Sequence, residues 1–205
     1  MLLGSWNSAI LNPKWLSEKV FDIKEETYNM EISMDMFLKT RIKIQDIYFM
    51  PTQNNLTIFP SNNVKDVQES FKLIEKATQK IFELLPFTPI SAIGHNFIYE
   101  LGESEVFSLE LHFQGANYSA LYKKISGKPI ESSLVKHTIV LDEDNLVQLN
   151  INYKTETKKT LELNYHYKVD DNNDKIKYSL SRYFLNYQHS QNVVDNLIMK
   201  REENN

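Results

Sequence analysis

Val64, Val67, Phe71, Ile74, Thr78, Ile81 and Leu85 recur at steps of three and four, and the series stops at Pro86. Steps of that size put side chains on one face of an α-helix. The opposite face carries Lys65, Gln68, Glu69, Lys72, Glu75, Lys76 and Gln79. The pattern predicts an amphipathic helix of about six turns. Pro60-Ser61-Asn62-Asn63 offers cap residues at its start, and Pro86, which has no N–H to donate, ends it. An apolar stripe of this length has to be covered, so the helix demands a sheet or a second helix beneath it.

Segments of period two lie on both sides of that helix. Met30, Ile32, Met34 and Met36 alternate with Glu31, Ser33 and Asp35, and Ile42, Ile44 and a partner run through Phe49 read as a further strand. Thr52 to Asn55 is a turn, and Leu56 to Phe59 a short strand after it. Leu2 to Leu11 reads as a first strand, followed by a short helix that Asn12 caps and Pro13 opens. A strand runs from Pro89 through Ile98, and another from Val106 to Phe113. Three more carry Val135-Ile139-Leu141, Val147-Leu149-Ile151-Tyr153 and Leu161-Leu163-Tyr165-Tyr167. Ile176, Leu180, Tyr183, Tyr187, Val194 and Leu197 predict one terminal helix.

The order strand, turn, strand, polar loop, long helix occurs at 40–85 and again at 146–199. We therefore expect an α+β fold of two β-β-α halves, with antiparallel sheets and two long helices packed on them. Residues 1–205 would form a single domain with pseudo-repeated halves at 1–100 and 101–205. Pro86, Pro89, Ala92 and Gly94 would make a structural joint at the seam of those halves, and the floor of a groove.

Composition narrows the function. Five glycines leave little material for a phosphate-binding loop, and the absence of cysteine removes thiol chemistry and disulfides. A net charge of −4 without a long basic run argues against nucleic acid as a partner. MLLGSWNSAIL lacks the basic start of a signal peptide, and no apolar run approaches the ~18 residues of a membrane span. The expectation is a soluble cytoplasmic protein that does not engage a membrane.

His95, His112, His137, His166 and His189 show none of the spacings of a metal motif, and no nucleophile has a local activating context. No catalytic residue, metal or cofactor is expected. Alternation puts His137 on an apolar face with Val135 and Ile139, which reads as a core histidine. The loops Asp142–Asn145 and Asp170–Asp174 read as solvated turns. The candidate ligand-binding set is Gly94, His95, Asn96 and His166. Tyr165, Tyr167, Tyr183 and Tyr187 are the candidate interface, because tyrosine is enriched where proteins meet.

Two stretches carry a resemblance. SWNSAILNPKWL, Ser5 to Leu16, resembles the opening of an uncharacterised bacterial family with an Asn-Pro-Ala-Ile-Leu run followed by Pro and Trp-Leu. IFELLPFTPISAIGHNFIYE, Ile81 to Glu100, resembles that family's middle motif, Leu-Leu, His-Thr-Pro and a strand into Gly-Ile-Asn. Leu163 to Tyr167 is similar to its last strand, with Asn164 and His166 matching an Asn-x-His-Tyr pattern. Ser8, Phe87 and His95 depart from the usual Pro, His and Ile. The family brings no activity. The paired halves are also loosely similar to SecB-like folds, which implies binding of unfolded or partner chains. The leading expectation is a non-enzymatic, adaptor- or chaperone-like subunit of a bacterial multi-protein system, in a stress or phage-defence setting. Its partner would be another protein subunit or a second copy in a homodimer. The alternatives are a small-ligand binder or enzyme with a pocket at the seam, and a single-strand nucleic-acid binder using the tyrosine-rich last strand and helix.

Overall fold

The computed structural model describes residues 1–23, 28–33, 39–61, 66–102, 124, 133–142, 147–155 and 159–199. The strand expected at Val106–Phe113, His112 and the start of the helical stripe at Val64 lie outside these residues. The fold is α+β with antiparallel strand pairing. Among the described residues no helix is long and apolar enough to cross a membrane. The chain divides into two compact units: one is built on Met1–His95 with Tyr167–Leu185, the other on Asn96–Glu143, Val147–His166 and Asn186–Asn205.

In the first unit β1 (Leu2–Gly4) precedes a single α-turn, α1 (Pro13–Trp15), which continues as a π-helical turn over Leu16–Val20. Asn12 caps it as expected, accepting the Trp15 amide through its side chain at 2.9 Å. The first strand stops at Gly4 rather than Leu11, because Ser5 and Trp6 donate their amides to loop carbonyls, Pro89 and Gln53. Then follow β2 (Tyr28–Ser33), β3 (Lys39–Ile44), β4 (Ile47–Pro51), β5 (Asn55–Pro60), α2 (Val67–Leu84) and β6 (Ile90–Glu100). The strands lie in the order β2-β3-β4-β5-β1-β6.

Register explains the core. Ile42 pairs with Phe49, Phe49 with Ile58, and Leu56 with Leu2, which pairs in turn with Ile93. Partners in a ladder share a face, so these apolar residues form one continuous surface, and all are buried. α2 packs on β4 and β5, and Phe71, Ile74, Ala77, Ile81 and Phe82 are its buried apolar residues. Thr78, on the same stripe, satisfies its hydroxyl by donating to the Ile74 carbonyl at 2.9 Å. The helix starts at Val67, later than the Ser61–Asn63 signal suggests. Asp66 caps it, its carboxylate accepting the amides of Gln68 and Glu69 at 2.8 and 3.1 Å. A carboxylate near a helix N-terminus also gains from the helix dipole.

In the second unit the far part of β6 runs beside β9 (Lys159–Lys168), then β8 (Val147–Thr155), then β7 (Ser133–Asp142). Leu149, Ile151 and Tyr153 of β8 and Leu161, Leu163 and Tyr165 of β9 form its buried face. His137 is a correction. It pairs with Ile151, yet it is exposed, and so is neighbouring Ile139 at 45%. Among the described residues β7 lies at the end of the strand order, and alternation alone does not say what covers its apolar face.

The single terminal helix is also corrected. It is two helices, α3 (Asn173–Leu180) and α4 (Tyr183–Met199). No proline or glycine marks the break. Ser179 and Ser181 donate their hydroxyls to the carbonyls of Ile176 and Tyr178 at 2.8 Å each. Arg182 stacks on the Tyr178 ring at 4.7 Å and donates to its hydroxyl at 3.0 Å. Side chains that take backbone carbonyls compete with continuation of the helix.

Candidate functional site

Alternation along β6 separates the residues expected to form one ligand site. His95 points inward and is buried, whereas the next residue, Asn96, is exposed. The His95 ring lies 5.1 Å from Tyr167 and 5.0 Å from Tyr183. Tyr183 in turn meets Phe71 edge-on at 5.3 Å. Burial lowers the His95 pKa well below that of a free imidazole and raises that of the Tyr183 phenol. This is an aromatic core cluster with a neutral imidazole. On β9 the same alternation puts Tyr165 and Tyr167 inward, and Asn164 and half-buried His166 outward. The Asn164 side-chain amide donates to that of Asn96. His95 and Asn96 therefore serve different faces of the strand.

The rings expected at an interface are used inside the fold. Tyr165, Tyr167 and Tyr183 are buried and Tyr187 is half-buried. Tyr165 bonds through its hydroxyl to His189 Nδ1 at 2.7 Å, and Phe97 contacts both Tyr165 and Tyr187 at 5.9 and 5.8 Å. Among the described residues no three His, Asp or Glu side chains gather where they could hold a metal ion.

In the stretch LPFTPI, where a joint and a groove floor were expected, sequence reasoning missed the part played by Phe87 and by the loop at Asp171. α2 ends with the Leu85 amide donating to Ile81, and Thr88 donates back to the Leu85 carbonyl at 3.1 Å, closing a turn between Pro86 and Pro89. Phe87, at its tip, is 95% exposed. The turn is clamped from two sides. Just past β1, Ser5 donates to the Pro89 carbonyl at 3.1 Å, and Gly4, at the end of β1, lies so close to that oxygen that a Cβ there would overlap it. From the loop before α3, Asp171 forms a reciprocal pair with Ile90. Its carboxylate accepts the Ile90 amide at 2.6 Å, and its own amide donates to the Ile90 carbonyl at 3.0 Å. Val169 and Asp170 donate to the Ser91 carbonyl at 3.2 Å each. Asp170 and Asp171 sit at φ 45° and 59°, the left-handed region that aspartate tolerates better than most residues.

An open cleft of about 260 Å³ lies between the two segments, walled by the Pro86–Pro89 turn, Asp171, Asn173 and Ile176. The sequence held one clue to it: a phenylalanine bracketed by prolines, outside every period-two or period-3.6 series. No family model, curated protein or solved structure matches the chain.

Proposed function

We propose that this protein is a non-enzymatic interaction subunit, adaptor- or chaperone-like, which docks a partner protein on the Pro86–Pro89 turn. The observation that carries the reading is Phe87. A phenylalanine left almost wholly in water costs solvation and contributes no packing. Here it is presented on a turn held by two prolines and by hydrogen bonds from separate parts of the chain. A rigid, exposed aromatic beside a cleft is the form of an interface anchor, because little conformational freedom is lost when it binds. The cleft, at about 260 Å³, is smaller than the ~300–1,000 Å³ typical of small-molecule sites, which favours a partner side chain over a metabolite.

Photo-crosslinking tests the reading. A photoreactive phenylalanine analogue at position 87, expressed in the native host, should crosslink to one protein, either a distinct subunit or a second copy of this chain. The same analogue at Lys72, on the polar face of α2, should not capture that protein. Identical crosslinking from both positions, or none from position 87, would contradict it.

A further inference from the structure

We propose that the Phe87 cleft receives a cationic side chain, lysine or arginine, from the docked protein; the proposal rests on the reading of the turn as a docking element. Three features of the cleft converge. Pro86, Pro89 and Ile176 offer apolar wall to the methylene stem of such a residue. The Phe87 ring, free in solvent, offers a π-face that attracts a cation. Among the described residues lining the cleft, Asp171 is the one that carries a charge. Its bond to the Ile90 amide holds the carboxylate in place without exhausting its acceptor sites, of which a carboxylate has about four. Nearby Lys168 does not occupy this role, since its ammonium pairs with Asp170 at 3.4 Å.

The neighbouring N-terminus of α3 argues for the opposite charge only if its amides are free, and they are engaged. The Asn172 side chain accepts the amides of Asp174 and Lys175 at 3.1 and 3.0 Å. An anion would thus meet a carboxylate and capped amides, whereas a cation meets a carboxylate and a ring.

The test uses the full chain, labelled with ¹⁵N, titrated with N-acetyl-arginine amide and N-acetyl-lysine amide, and with the norleucine and glutamate equivalents as neutral and acidic probes. The cationic probes should shift the amides of Thr88, Asp171 and Asn173 saturably, and more weakly as salt is raised. Asp171→Asn keeps an oxygen to accept the Ile90 amide, so it should leave the fold intact while weakening the cationic probes by about tenfold, as expected for loss of a close charge pair. Equal or stronger shifts from the glutamate probe, or cationic binding unchanged in Asp171→Asn, would overturn the proposal. If the cationic probes fail while Phe87→Ser still abolishes capture of the partner, this inference alone is wrong. If the probes bind as expected but capture ignores Phe87→Ser, the docking reading fails and the cleft binds free cationic groups instead.

Discussion

The Asp171 carboxylate accepts the amide hydrogen of Ile90 at 2.6 Å, across 81 residues of sequence. That bond ties the loop before α3 to the first residue of β6 and so sets one wall of the cleft against the Phe87 turn. Asp171→Ala would strand a part-buried amide and place alanine at φ 59°. A loss of about 1–3 kcal/mol is expected from the orphaned donor, measured by urea denaturation. Asp171→Asn, which keeps an acceptor and suits that backbone, should lose under ~1 kcal/mol. Equal losses would mean that the bond is not what holds the loop.

Gly4 holds the other wall. A Cβ there meets the Pro89 carbonyl and the Ile90 Cα, backbone atoms that leave little room to yield. Gly4→Ala should therefore destabilise the protein by at least about 1–3 kcal/mol, the range for inserting a group into a packed site. A melting temperature equal to that of the unchanged protein would contradict the close approach of β1 to the turn.

The two faces of α2 should respond differently. Phe71 and Ile74 are buried, so replacing either with alanine should cost about 2–5 kcal/mol. Lys72 lies 5.1 Å from the Phe184 ring on the exposed side, and its replacement by alanine should cost about 0.5–1 kcal/mol. Chemical denaturation of the three variants decides the point, and equal losses would mean that the helix is rotated.

His95 makes stability depend on pH in a known direction. Burial keeps its imidazole neutral in the folded state, with a pKa well below its ordinary value. The unfolded chain takes up a proton near pH 6.5, the ordinary histidine value, and the folded chain does not. Stability is therefore undiminished above ~6.5 and falls below it, by up to about 1.4 kcal/mol per pH unit, until the folded-state pKa is reached. Denaturation midpoints at pH 7.5 and 5.5 should differ more for the unchanged protein than for His95→Gln. An identical pH dependence in the two would show that His95 ionises freely in the fold.

The sequence made the periodic parts of this fold readable, and the reasons are physical. Phe71, Ile74, Thr78 and Ile81 step at the helical period because one face of α2 is covered, and Leu149, Ile151 and Tyr153 alternate because one face of β8 is. Period does not say whether a strand's apolar face is covered, so His137 carried a core pattern and is exposed. Nor does it say which face of β9 meets the helices, so Tyr165 and Tyr167 suggested an interface and are buried. The ligand set is divided on a simpler ground. Once residues 90–100 form a strand, His95 and Asn96 must point to opposite sides. Of the Phe87 cleft only the proline-bracketed turn was legible, because the cleft depends on Asp171 meeting Ile90, a contact with no local signal in either segment.

The most direct test of the central claim is quantitative capture from the native host with the unchanged protein and with Phe87→Ser. Removing an interface anchor typically costs 2 kcal/mol or more, about thirtyfold in affinity. The account predicts a partner recovered in stoichiometric amount by the unchanged protein and reduced at least ~10-fold by Phe87→Ser, with the same melting temperature for both proteins. Recovery of the same partner in equal amount by both would contradict it.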